Sequence, residues 1–349
     1  MATSITRSPG DPSSFQIFRD SPQLRRLRQQ LLKDDQSVGF VPTMGALHEG
    51  HLSLIRAAAC ENTNVFISIF VNPTQFGVNE DFSSYPCTWE SDIERLEKLN
   101  KEFISSGSPT GRISAVFAPT SKVMYPNLPP SSEIDGDGSF VTVTPLSKKL
   151  EGESRPVFFR GVATVCMKLF NVTTPDRVYF GQKDFQQTVI IKRMVQDLHV
   201  GTEVRVVSTA REVNGLALSS RNAYLGDRRR RAGCTIFRAF KAADEAYRGG
   251  KTSRVDILRA AQSVLDRVFA EQQALSPSER YLFEIDYISL ADSNTLEELD
   301  IVDHIKGAVI SAALKMAPLE ETVPNEECGL GDGKVFVRLI DNWMLQAEN

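Results

Sequence analysis

Residues 64–72 read NVFISIFVN and are apolar almost throughout. A strand wetted on one side alternates apolar and polar residues. An unbroken apolar run fits a strand covered on both faces, as in a parallel sheet. Parallel neighbours need a crossover between them, usually a helix. The flanking sequence supplies that alternation. SVGFVPT (37–43), SAVFAPT (114–120), RVYFG (177–181) and EVRVVST (203–209) read as strands. EGHLSLIRAAACEN (49–62), WESDIERLEKLNKEF (89–103), GVATVCMKLFNVT (161–173) and FQQTVIIKRMVQDL (185–198) read as helices. An earlier helix starts with Ser21 as N-cap and Pro22 in its first turn, with Leu24, Leu27, Leu31 and Leu32 at helical spacing. Arg25, Arg26 and Arg28 between them read as a solvated face. Strands alternating with helices predict βαβ units.

The order breaks at YPNLPPSSEIDGDGS (125–139), rich in Pro, Gly and Ser and read as loop, before a short strand FVTVTP (140–145). After about Ala210 the character changes. Two amphipathic helices (227–247 and 253–273) precede strands YLFEIDYISL, GAVISAAL and KVFVRLI. The arginine run 228–231 reads as a solvated face, with Ile236, Phe237, Phe240 and Tyr247 as the core stripe. GLGDG at 329–333 precedes a strand and so reads as a turn, not a dinucleotide loop. The expected division is 1–209 and 210–349.

Composition excludes several classes. A net charge of -4 disfavours a general nucleic-acid or membrane surface. No run approaches membrane-spanning length, and the N-terminus lacks the apolar segment of a signal peptide. Five scattered cysteines without CxxC suit free thiols in a reducing compartment, hence a cytoplasmic protein with a frayed N-terminus.

The four histidines are unevenly placed. His48 and His51 share VPTMGALHEGHLSLI (41–55), at the exit of a strand and the start of a helix. Parallel sheets place ligands at that edge, and a helix start favours anions. Three readings stay open: phosphate binding by two imidazoles on one turn, incidental histidines, or an HxxH metal chelate lacking HExxH and a nearby third ligand. Other polar segments fall at strand exits or at the domain junction. In FVNPTQF, Asn72-Pro73 stops a strand and Gln75 offers a neutral amide. In FGQKDFQQ, Lys183 offers a point charge, with Gln187 one turn on. In LALSSRNAYL, Ser219, Ser220 and Arg221 are adjacent donors. Read blandly, these are a loop, a solvated Lys-Asp pair and an N-capping cluster.

Together with YP, LEG, RP, FRGV and PD in the same order, these segments resemble the pantoate–β-alanine ligase family of the HxGH nucleotidyltransferase superfamily. The resemblance runs from about Val38 to Leu225 and returns at RLIDN. It implies a Rossmann-like parallel-sheet N-terminal domain and a smaller α+β C-terminal lid, an α/β class overall. It implies ATP-dependent condensation of (R)-pantoate with β-alanine through pantoyl adenylate. Carried over by position, Met44, Gly45, Ala46, Leu47, His48, Glu49, Gly50 and His51 line ATP, with His48 and His51 on its phosphates. Gly181, Gln182, Lys183 and Asp184 contact ATP, Lys183 on phosphate and Asp184 on ribose. Ala210, Leu218, Ser219, Ser220 and Arg221 close over the nucleotide. Gln75 and Gln187 hold pantoate, and Gln75 also lies near β-alanine. Mg²⁺ accompanies the triphosphate, with Asp92 as a possible outer ligand. The resemblance also implies a homodimer through the N-terminal domain.

Gln182 and Phe158 stand where bacterial members carry Glu and often His, and the 125–139 and 271–280 segments are longer, pointing to a eukaryotic member. Two rivals are an aminoacyl-tRNA synthetase core, which needs a tRNA-binding extension and a basic surface, and a non-catalytic ATP-binding regulator, in which loss of His51 or Lys183 is expected.

Overall fold

The computed structural model describes residues 14–77, 82, 85–107, 111–127, 133 and 137–346. The first thirteen residues and much of the 125–139 stretch lie outside these, and so do the expectations that fall on them. Packing divides the chain into two units. One comprises Met1–Ser147, Ser154–Phe180 and Ile190–Val207, the other Lys148–Glu153, Gly181–Val189 and Ser208–Asn349.

The first unit opens with β1 (Gln16–Phe18), α1 (Ser21–Lys33), β2 (Val38–Thr43), α2 (Glu49–Glu61), β3 (Asn64–Ile69), α3 (Trp89–Ser105), β4 (Arg112–Phe117) and α4 (Ser121–Met124). In chain order there follow α5 (Glu151–Ser154), α6 (Phe158–Thr173), β5 (Arg177–Gly181), α7 (Phe185–Asp197) and β6 (Glu203–Val207), of which most of α5 and the first turn of α7 belong to the second unit. The six strands form one sheet in the order β1-β4-β3-β2-β5-β6. The pairings β1–β4, β4–β3, β3–β2 and β2–β5 are parallel. Val65, Phe66 and Ile67 of β3 are fully buried, as the unbroken apolar run requires. The order reverses direction between β2 and β5, the topological switch where such sheets take ligands.

Three sequence expectations are corrected. The N-cap of α1 is Asp20, whose carboxylate accepts from Gln23 N at 3.0 Å, one residue earlier than Ser21. Arg28 is not solvated: it is 3% exposed and donates to Thr174 O, Gln36 O and Asp176. Burial pulls its pKa down, against the opposing pull of Asp176. FVTVTP forms no strand, because the Val141 amide goes to the Thr164 hydroxyl at 2.9 Å rather than into a ladder.

The second unit holds α8 (Gly226–Arg248), α9 (Arg254–Gln273) and an antiparallel sheet of β7 (Phe283–Ala291), β8 (Ala308–Met316) and β9 (Val337–Leu345). The sequence expectation for the last strand stopped at Ile340. It runs on through Asp341 and Asn342, polar residues buried by side-chain partners. The arginine run is also corrected. Arg229 is fully buried and donates to the carbonyls of Tyr224, Leu225, Ala317, Cys328 and Val335. Arg228, 3% exposed, pairs with Glu326 and donates to Pro277 O, Arg280 O and Glu321 O. Interior loop carbonyls need donors, and a guanidinium brings five in a fixed fork. The 271–280 segment thus supplies two of the carbonyls that Arg228 satisfies.

Two short segments also belong to this unit although they precede residue 208. The Gln186 side chain donates to Lys149 O at 2.6 Å and accepts from Glu151 N at 3.1 Å. Glu151 in turn holds Arg338 of β9.

Candidate functional site

The chain leaves β2 through a tight loop. Gly45 (φ +90°) and Ala46 (φ +50°) are both left-handed. Only glycine adopts that conformation without strain, so Ala46 must be held there. Asp92 of α3 does this, its two oxygens accepting from Ala46 N at 2.9 Å and Leu47 N at 2.8 Å. Asp92 is 1% exposed, and Oδ1 also accepts from the Thr88 hydroxyl at 3.1 Å. Two consecutive amides aimed at one anion form a nest, here filled by the protein's own carboxylate. These bonds give Asp92 a structural task that was not expected, beside the outer metal ligation expected of it. Among the described residues, no three His, Cys, Asp or Glu side chains gather as a metal set.

The free helical amides expected at the start of α2 are also partly committed. His48 is the N-cap, and its Nδ1 accepts from Gly50 N at 3.1 Å. Nδ1 of His51 accepts from His48 N at 3.4 Å, completing a reciprocal capping box. The rings lie 4.1 Å apart, centroid to centroid. An imidazole that accepts at Nδ1 carries its proton on Nε2. The geometry therefore sets both rings in the tautomer that donates through Nε2–H.

Gln75 follows the exit of β3. Its Nε2 lies 3.2 Å from the Met44 sulfur, and its Oε1 accepts from Asn72 Nδ2 at 3.1 Å. Asn72 is fixed by Gly161 O, the Thr74 hydroxyl and the Tyr125 hydroxyl. Burial raises the Tyr125 pKa to about 12, so its hydroxyl remains a proton donor at neutral pH. Gly161 lets α6 touch this turn, since a Cβ there would fall 2.4 Å from Thr74 O. In sequence Asn72 reads only as a strand stop, and Tyr125 and Gly161 show no role. The signal available was an amide three residues from Gln75, within motifs already singled out. Phe158, the departure from the bacterial pattern, lies under the Arg155 guanidinium, 3.8 Å from its ring centre.

In the second unit, Lys183 pairs with Asp184 at 3.1 Å. The carbonyls of Gln182 and Lys183 both accept from Asn342 Nδ2, each at 2.8 Å. At Gln182 it is thus the backbone that is held, a bond indifferent to the Glu-to-Gln departure. Gln187 is half-buried on α7, next to the tethered Gln186. Ala210 and Leu218 are joined by a backbone bond of 2.9 Å. The Ser219 hydroxyl accepts from Arg221 N at 3.2 Å and caps the short turn Ser220–Tyr224, so the bland capping reading holds for Ser219. Lys183, Ser219, Arg221, Asn222, Arg338 and Asp341 line one narrow cavity. The structure thus brings His48 to His51, Met44 to Gln75, and Lys183 to Ser219 and Arg221.

Comparison with known proteins shows the family of the chain. The family model described as pantoate-beta-alanine ligase matches residues 16–344. The pantothenate synthetase of Roseiflexus castenholzii is 44% identical, over 89% of this chain and 93% of that one. The pantoate--beta-alanine ligase of Saccharomyces cerevisiae is 40% identical, over 94% of this chain and 99% of its own length. Among solved structures, the pantothenate synthetase of Thermus thermophilus superposes with a TM-score of 0.74 at 34% identity, covering 95% of this chain and all of that one. The Francisella tularensis enzyme, complexed with beta-gamma ATP and beta-alanine, gives 0.62 at 30% identity, covering 95% and 98%.

Proposed function

Because the chain belongs to the pantoate–β-alanine ligase family, we propose that His48, His51 and Lys183 stabilise the transferring phosphoryl group while Gln75 and Gln187 hold pantoate. The reaction is that of the family. The carboxylate of (R)-pantoate attacks the α-phosphate of ATP, and diphosphate leaves. The amine of β-alanine then attacks the acyl carbon of pantoyl adenylate, loses a proton, and AMP leaves with pantothenate formed.

The first step gathers negative charge on a pentacoordinate phosphorus and asks little of proton transfer. Donors already aimed at that charge lower its barrier most. The observation that carries the reading is the pair of Nδ1 atoms accepting backbone amides, because it presets two Nε2–H donors on one turn. His51 therefore acts by charge stabilisation rather than as a proton donor. Lys183 adds a point charge, and Asp184 takes the ribose. The remaining loop residues Met44 to Gly50, with Gly181, Gln182, Ala210 and Leu218 to Arg221, surround the nucleotide. Bound with the triphosphate, Mg²⁺ would supply charge neutralisation to the phosphates that His48, His51 and Lys183 face in this reading. This residue assignment is supported by the family resemblance position by position. The same reading makes the enzyme a cytoplasmic homodimer that needs no nucleic acid. Among the described residues no helix is long and apolar enough to cross a membrane.

The test is isotope exchange of diphosphate into ATP. Exchange is expected with pantoate and without β-alanine, since adenylation precedes amine attack. Strict dependence on β-alanine would refute this order.

A further inference from the structure

The segment RLIDN, residues 338–342, has no task in the reaction as assigned above. Its last residue lies 159 positions from Lys183, yet the two are bonded. Asn342 is 2% exposed in β9, where it pairs with Ser311 of β8. Its side-chain NH₂ has two hydrogens, and both are spent on the loop, one on Gln182 O and one on Lys183 O, each at 2.8 Å. Asn342 is itself fixed. Its backbone N donates to Asp341 Oδ1 at 2.8 Å, and its carbonyl accepts from Arg211 at 3.3 Å. Arg211 grips the Asp341 carboxylate with both nitrogens, at 2.5 and 3.0 Å. Bidentate pairs of this kind fix geometry as well as charge.

We propose that Asn342, locked by the Arg211–Asp341 pair, is a positioning residue for Lys183. The Lys183 ammonium pairs with Asp184 at 3.1 Å, and both side chains stand on the same short loop, so the placement of the ammonium follows the backbone that carries them. Two carbonyls clamped by one amide set the direction in which Cα–Cβ of Lys183 leaves the loop. The 181–184 loop is thus aimed from a strand far along the chain rather than from β5, which precedes it. This inference rests on the reading of Lys183 as the phosphate-binding cation.

The test uses the whole enzyme. Asn342→Asp keeps the shape but turns an acceptor toward two carbonyls, and Asn342→Ala removes the clamp. Both are expected to slow pantoate-dependent ATP–diphosphate exchange by about tenfold or more, since misplacing a group by an ångström can cost that much rate. The KM for pantoate should stay within about twofold, the signature of an interaction made in the transition state. In a double-mutant cycle, Asn342→Ala with Lys183→Ala should be no slower than Lys183→Ala alone. Wild-type exchange by folded Asn342→Asp overturns the proposal. So does an equal slowing by Asn342→Ala when Lys183 is already absent. Should both Asn342 variants fail to fold, Asp341→Asn loosens the same lock more gently. It should show the same split of turnover from KM, and wild-type turnover there overturns the proposal equally. If Lys183→Ala itself exchanges at the wild-type rate, the premise about Lys183 fails, and the inference falls for that separate reason.

Discussion

The loop after β2 and the loop after β5 leave the same sheet and serve the same phosphate chemistry in our reading, but they are held by different means. The first is strained and braced by a carboxylate. Gly45 and Ala46 are left-handed, the Gly45 amide donates to the Thr43 hydroxyl, and the carboxylate that takes the Ala46 and Leu47 amides comes from Asp92, 46 residues on from Ala46. The second has no left-handed residue between Gly181 and Asp184 and relies on donors 159 and 160 residues away. A loop that must seat two histidines on a helix start can use the helix's own amides to orient them. The loop presenting Lys183 has the neighbouring Asp184 for its ammonium but takes the partner for its backbone carbonyls from a distant strand.

The largest expected effects come from the donors themselves. His51→Ala and Lys183→Ala should each slow adenylation about a hundredfold or more, as loss of a positioned transition-state donor does. ATP affinity should change less. Single-turnover adenylation measures this, and a His51→Ala enzyme within a few-fold of wild type would reduce that histidine to a cap.

The bracing comes next. Asp92→Ala leaves the Ala46 and Leu47 amides without their acceptor, at a cost of roughly 1–3 kcal/mol for an unsatisfied buried group. Asp92→Asn keeps one acceptor and should lose less. Both should lower the melting temperature and slow adenylation at every Mg²⁺ concentration. Rescue of Asp92→Asn by excess Mg²⁺ would instead restore Asp92 as a metal ligand.

Substrate holding should cost less again. Gln75→Ala and Gln187→Ala should raise the pantoate KM more than the ATP KM, each losing an amide partner worth about 1–3 kcal/mol. Steady-state titration of both substrates decides this, and unchanged pantoate dependence in both variants removes them from the site.

The smallest effect concerns the segment after Ser219. The hydroxyl of Ser219 already caps its turn, so Arg221→Ala should fold normally. If this segment excludes water from the adenylate, the variant should release more AMP per pantothenate. A destabilised but fully coupled Arg221→Ala enzyme would leave the arginine a structural part only.

Much of the site could be read directly because its signals are local. His48 and His51 sit on one turn, and Met44 and Gln75 follow adjacent strands, so spacing and strand exits suffice to place them. The parallel sheet was legible for the same reason, since burial on both faces leaves an unbroken apolar run at residues 64–72. The supporting residues were not legible, because their partners are remote. Arg28, Arg228 and Arg229 look like solvated charges in sequence, and a pattern of apolar spacing cannot show that interior carbonyls await them. That Asp92 takes the Ala46 and Leu47 amides shows only once the loop and α3 are seen together. Asn342 is one more polar residue near a chain end until β9 brings it to Lys183. Sequence by itself determined the fold class and the family, and from them came the residues proposed to carry the chemistry. Tertiary structure alone decided which buried charges satisfy the backbone and which distant side chains bond the loops that carry those residues. The physical reason is that hydrophobic periodicity is a property of neighbours along the chain, whereas a hydrogen bond between buried groups depends on where distant segments meet.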